Sequence, residues 1–126
     1  MEDLEKMRKT IKLTLMQIGI RCDLRGFAYL CYAVEQVILN PNCLNNLCGE
    51  LYVKIGQNFE VKNTMSVERS IRHAINTTQK SKTFSNLNKL FNAKLYKKNE
   101  KPTSGELISL VAKYCASETN VKVISA

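Results

Sequence analysis

The stretch Val67-Glu68-Arg69-Ser70-Ile71-Arg72-His73-Ala74-Ile75 decides how this chain is read. Val67, Ser70, Ile71, Ala74 and Ile75 fall at i, i+3, i+4, i+7 and i+8, one buried stripe of an α-helix. Glu68, Arg69, Arg72, His73 and Asn76 take the opposite side, and each can hydrogen-bond to a base edge or a phosphate. A small apolar back that docks tightly and a polar front that reaches outward are what a groove-reading helix needs. An ordinary amphipathic helix with a solvated basic face would carry the same residues, so the surroundings decide between the two.

Charge is the first of those surroundings. The 126 residues carry a formal net charge of +8, and residues 54–101 hold eleven Lys or Arg against Glu60, Glu68 and Glu100, which is also +8. Residues 1–53 hold six charges of each sign and residues 102–126 two of each. The whole excess lies in one stretch around the candidate reading helix, which points to a polyanionic partner more than to general solubility.

The remaining composition narrows the class. At this length, with 44% hydrophobic residues, a single domain with one modest core is expected over residues 1–117. No apolar run approaches the roughly 18–20 residues that span a bilayer, and the acidic start Met1-Glu2-Asp3-Leu4-Glu5 does not resemble a secretory leader. Cys22, Cys31, Cys43, Cys48 and Cys115 are odd in number and form no C-x-x-C pair, so reduced thiols in a cytoplasmic, nucleoid-associated protein are expected. With one histidine and no second cysteine pair, no metal site is expected.

Hydrophobic periodicity predicts an all-α domain of about six helices. Leu4, Met7, Ile11, Leu15 and Ile18 form the first, ended by Gly19. Asp23 or a neighbour starts the second, with Phe27, Leu30, Val34, Val37 and Ile38 as its core stripe before Asn40-Pro41-Asn42 breaks the chain. Leu44, Leu47, Leu51 and Ile55 predict a third helix reaching about Asn58. Thr64 then caps a fourth that fades near Thr77–Lys80. A short helix over Ser85–Phe91 and a lysine-rich connection, Asn92–Lys101, precede the last helix. Its start is marked by Pro102 and the capping box of Thr103 and Glu106, and Leu107, Leu110, Val111 and Tyr114 share one face. Residues 118–126 read as a frayed tail, with a short strand over Val121, Val123 and Ile124 as the alternative.

The third and fourth helices, over about residues 44–78, satisfy the requirements of a helix-turn-helix. Gly56 is the small residue on the first helix, Phe59 the apolar closure and Val67 the docking contact on the second. The link is longer than the minimal motif by about one residue. Arg69 and Arg72 can address guanine, and Glu68 can accept from cytosine or pair with Arg72 one turn away. Lys62, Thr64 and Ser66 lie where a helix N-terminus meets a phosphate, although Ser66 and Thr64 also suit simple turn and capping roles. His73 has no catalytic companion and suits a phosphate contact or packing at the helix edge.

The segment Val67-Glu68-Arg69-x-Ile71-Arg72-His73-Ala74-Ile75 resembles the recognition helix of the C-terminal DNA-binding effector domain of the stage-zero sporulation response regulators of spore-forming Firmicutes. Ile18-Gly19-Ile20, Gly26-Phe27-x-Tyr29-Leu30, Leu51-Tyr52, Phe59 and Lys101-Pro102-Thr103-x-x-Glu106 extend the resemblance in order over about residues 8–116. The resemblance implies a six-helix domain that reads a short box, with Glu68, Arg69 and Arg72 at the base-reading positions and head-to-tail pairing on tandem boxes. Two departures stand out: the extra link residue, and Ser66 where the family usually has arginine. In the family a receiver domain precedes this one. With few acids and no βα alternation before the first helix, no receiver domain is expected in this sequence. A free-standing effector domain is expected, with an excised piece of a longer chain as the alternative.

Three classes of function follow. The leading expectation is a sequence-specific, double-stranded DNA-binding transcriptional regulator. In it Glu68, Arg69 and Arg72 read bases, while Lys62, Thr64, Ser66, His73, Lys97 and Lys101 hold phosphates. The second is a receiver-less interaction protein that pairs with or antagonises a full-length relative. An enzyme is not expected: a single histidine, no phosphate-cradling glycine loop and no paired carboxylates leave no catalytic residues and no cofactor site.

Overall fold

Three acids, Glu2, Asp3 and Glu5, sit in the first turn of α1 (Glu2–Ile18), where the helix dipole favours negative charge. Its other end stops as expected. Gly19 adopts φ +104°, its N–H donates to the Met16 carbonyl at 3.0 Å, and the Ile20 N–H donates to the Leu15 carbonyl at 3.1 Å. That is a Schellman termination, which requires a left-handed residue at this position. The computed structural model describes residues 2–119. Of the tail expected over 118–126, strand or frayed, residues 120–126 lie outside the described residues.

Helix α2 (Arg25–Leu39) buries Phe27, Leu30, Val34, Val37 and Ile38, the stripe its periodicity predicts. Asp23 does not cap it. Its carboxylate instead takes the Arg21 guanidinium (Nη2 to Oδ2 2.6 Å), and Leu24 stands at the cap position with no side-chain bond.

The third helix is shorter than its apolar spacing predicts. Pro41–Asn45 forms a 3₁₀ turn, Leu47–Leu51 a π turn, and regular α3 runs only from Tyr52 to Asn58. Asn46 causes the break. Its backbone is extended (φ −145°, ψ 82°) and its side chain accepts the Gly49 N–H at 2.9 Å. An asparagine that satisfies the backbone locally competes with helix continuation. Leu51 and Ile55 are buried as expected, but Leu44 and Leu47 are only half-buried and Cys43 fills the core beside them.

Helix α4 spans Thr64–Lys80, and Asn63, not Thr64, caps it: Asn63 Oδ1 accepts the Met65 N–H at 2.9 Å. Asparagine is among the strongest cap residues and its extended backbone suits the position, which leaves Thr64 as the first helical residue. Helix α5 (Asn86–Phe91) ends at Asn92 in the left-handed conformation. Helix α6 (Ser104–Thr119) begins with the expected capping box. The Thr103 N–H donates to Glu106 Oε1 at 2.9 Å, and the Glu106 N–H donates to Thr103 Oγ1 at 3.1 Å. It continues two residues beyond the predicted end at Ser117.

These six helices make an all-α fold, with no strand among the described residues. Helices α1, α2 and α6 pack on one another, α4 packs most extensively on α2, and α3 touches both α2 and α4. The core joins Ile11, Leu15 and Ile18 to Leu30, Val34 and Ile38 and to Leu107, Ile108 and Val111. The one buried acid among the described residues, Glu35, is held by the Arg8 guanidinium at 2.5 Å. Burial pushes the Cys115 thiol up to about 11 and that of Cys31 likewise to about 11, which keeps both protonated at neutral pH.

Candidate nucleic-acid interface

The two sides of α4 divide as the sequence predicts except at Ser70, which is only half-buried. Val67, Ile71, Ala74 and Ile75 are buried, together with Thr78, whose hydroxyl donates to the Ala74 carbonyl at 2.8 Å. Arg69, Arg72 and His73 are exposed, and Glu68 and Asn76 half-exposed. The apolar back docks on α2 at unusually close range. A Cβ built on Gly26 would lie 2.2 Å from the Ser70 carbonyl oxygen and 2.9 Å from Ala74 Cβ. Only glycine allows that approach, and it fixes how far the front of α4 stands from the body of the domain.

The link Phe59–Asn63 carries the chain from α3 to α4. The Val61 N–H donates to the Gly56 carbonyl at 2.8 Å, and a Cβ on Gly56 would come within 2.9 Å of the Val61 oxygen, so the small residue is needed here. Phe59 closes α3 as expected, standing at its C-cap with its N–H donating to the Ile55 carbonyl at 3.0 Å. It stays 37% exposed and lays its ring edge-on to Tyr29 and Tyr32 of α2, with centroids 5.1 and 5.8 Å away. Glu60 turns the corner in the left-handed region, φ +58°.

On the front of α4, Glu68 and Arg72 form the anticipated ion pair one turn apart. Both groups are solvated and the pair is weak, so a nucleic acid can capture the guanidinium at little cost. Arg69 and His73, also one turn apart, flank a shallow depression of about 470 Å³ together with Asp23, Arg25 and Ser70. Arg25 was not singled out by the sequence. Its signal is the adjacent Gly26, which marks the place where the start of α2 reaches α4.

The proposed phosphate-holding residues are not all brought together. Lys62 is exposed in the link, Thr64 opens α4, and the half-buried Ser66 gives its N–H to the Asn63 carbonyl at 3.0 Å. At the far end, Lys101 comes from the connection before α6 and donates from Nζ to Asn76 Oδ1 at 2.6 Å. Gln79 Nε2 donates to the Asn99 carbonyl at 2.9 Å just beyond it. Lys97 is exposed on the same connection, and its backbone N–H donates to Glu100 Oε1 at 2.7 Å. The link lysine and the connection lysines thus sit at opposite ends of α4.

A larger concavity of about 710 Å³ lies away from this face, between α1, α2 and Phe59. Its buried carboxylate, Glu35, is already taken by Arg8. Among the described residues no three His, Cys, Asp or Glu gather as a metal site, and no helix is long and apolar enough to cross a membrane.

A family model described as the C terminal of the sporulation initiation factor Spo0A matches residues 11–115, from the second half of α1 almost to the end of α6. The match takes in the whole of α2, α3, α4 and α5, hence both the glycine contact behind α4 and the polar face in front of it. With a helix-turn-helix in place and the positive charge collected around it, the chain belongs to the family of DNA-binding regulatory domains that form the C terminal of the sporulation initiation factor Spo0A.

Proposed function

We propose that this domain regulates transcription by reading a short box in double-stranded DNA with α4. Glu68, Arg69 and Arg72 address base edges in the major groove, and Lys62, Thr64, Ser66, His73, Lys97 and Lys101 hold phosphates. The carrying observation is that α4 exposes both arginines and His73 on a front whose back is locked against α2. Spacing supports the division of labour. From Thr64 to Asn76, where Lys101 is anchored, α4 advances about 18 Å, enough to cross a major groove about 12 Å wide. Cations at both ends then meet the two groove edges while the arginines between them face bases. Two copies placed head-to-tail would occupy tandem boxes.

Fluorescence anisotropy of the chain on a single family-type box, tandem boxes and a scrambled duplex, at two salt concentrations, tests this reading. Box preference should persist at the higher salt, because phosphate contacts alone are screened there. Arg72→Ala should cost about 1–3 kcal/mol on the box and relax specificity at one base position, whereas Lys62→Ala should weaken every duplex alike. Equal losses on all duplexes for both variants would defeat base readout by α4.

A second reading is an interaction protein that pairs with a full-length relative and has weak DNA affinity of its own. The five-residue link with its left-handed Glu60, and Ser66 in place of the family's arginine, favour it. Binding to all three duplexes that is equal and erased by salt would give it the lead.

A further inference from the structure

The connection between α5 and α6 is fastened more thoroughly than a solvated surface loop requires. Asn88 of α5 grips it from one side: Nδ2 donates to the Tyr96 carbonyl at 2.7 Å, and Oδ1 accepts the N–H groups of Leu95 at 2.8 Å and of Tyr96 at 2.9 Å. One side-chain amide thus pairs with the chain as a neighbouring strand would. Helix α4 grips the other end, through Gln79 on the Asn99 carbonyl and Asn76 on the Lys101 ammonium. Between the two anchors the chain turns tightly, the Glu100 N–H donating to the Lys97 carbonyl at 3.1 Å, and Lys97 and Lys98 are exposed there.

We propose that residues 94–101 are a second DNA-contacting element, a preformed lysine arm that holds phosphates beside the box, and that Asn88 is its positioning residue. The inference rests on the reading of α4 as the box-reading helix, and it joins lysines otherwise considered singly into one built structure. Its placement follows from Asn76, which lies one turn beyond Arg72 on the same helix. The arm therefore meets the α4 face about 6 Å past the outermost reading arginine. Its chemistry follows from lysine: a compact point charge on a flexible stem neutralises a phosphate without reading a base. The fastening serves affinity, because an arm ordered before binding does not lose loop entropy on contact. Glu100, the arm's only acid, turns inward on the Lys97 N–H and shapes the turn.

The experiment measures binding to box and scrambled duplexes across a salt series for Lys97→Ala/Lys98→Ala, for Asn88→Ala and for all three changes together. Thermal melting confirms that each variant is folded. Removing both lysines should weaken box and scrambled duplexes by the same factor and flatten the slope of log K against log salt by about 2. Asn88→Ala should also weaken both duplexes equally, and should add nothing once the lysines are gone, the signature of a residue acting through the arm. An unchanged salt slope in the lysine variant would overturn the arm. A loss from Asn88→Ala that persists undiminished in the lysine-free background would overturn its positioning role. If Asn88→Ala melts near the assay temperature, Gln79→Ala, which removes one of the two bonds at the arm's other end without touching α5, tests by the same comparison whether fastening the arm matters. Failure of the box-reading proposal would look different, since the unaltered chain would then prefer no duplex while its salt slope still reported on the arm.

Discussion

Helix α4 is held from two directions, and the two attachments differ in kind. Behind it, the α2 contact is dry and close, with Gly26 against the Ser70 carbonyl and Ala74. Before it, the link from α3 is solvated and turns through a glutamate in a conformation that glycine would adopt more cheaply. The first attachment is a matter of packed shape and tolerates no added atom. The second is a matter of local backbone chemistry, where single substitutions move stability by small amounts in either direction. The contrast teaches that α2 sets the position of the exposed α4 face, while the α3 half of the motif mainly delivers the chain to it. A lengthened link is tolerable for that reason.

Gly26→Ala breaks the stronger attachment and should have the largest effect. The new methyl meets a backbone oxygen, which cannot rotate away as a flexible side chain can, so α2 and α4 must separate. A loss of about 3 kcal/mol is expected, at the upper end of the overpacking range. Urea denaturation reads it directly, and box preference should fall with it because Arg69 and Arg72 shift relative to the arm. A variant within 1 kcal/mol of the parent would show that the close approach does not govern the position of α4.

Asn63→Ala probes the weaker attachment and should cost about 1 kcal/mol through the exposed, unanswered Met65 N–H. Thr64→Ala should stay within about 0.5 kcal/mol, as a surface change that removes no cap. Comparing the urea midpoints of the two variants separates them. Equal midpoints would mean that the cap is shared between neighbours and the link is less locally determined than its geometry indicates.

The difference between these attachments also explains what could be read from the sequence. Periodicity located α1, α2, α4 and α6 because each sets an apolar stripe against the core, a signal that sums over many residues. The stripe of α4 and its polar front were legible together for the same reason. The third helix misled because Leu44, Leu47, Leu51 and Ile55 keep helical spacing while Asn46 alone breaks the backbone. One residue's hydrogen bond outweighed the periodicity of four. The choice between Asn63 and Thr64 as cap turns on a backbone angle that spacing does not reveal. The Asn88 clamp and the Lys101–Asn76 bond join residues 8 and 25 positions apart, so no local pattern announces them. Arg25 entered the candidate site only through the tertiary contact of its neighbour Gly26.

The smallest expected effect tests the strained corner itself. Glu60 sits at φ +58°, where a side chain's Cβ crowds its own backbone at a cost of about 1 kcal/mol. Glu60→Gly removes that crowding but gives the unfolded chain more freedom, so the net gain should be only about 0.5 kcal/mol. Glu60→Ala keeps the crowding and should not stabilise, which makes the difference between the two variants more informative than either alone. Both remove one negative charge from the basic stretch 54–101, so both should bind every duplex somewhat more tightly at low salt, by equal amounts. A stability difference combined with equal DNA gains would assign the strain to the backbone and the affinity change to charge. If the two variants melted together, the corner would carry no strain, and the contrast between a packed joint and a strained link would fail at its weaker end.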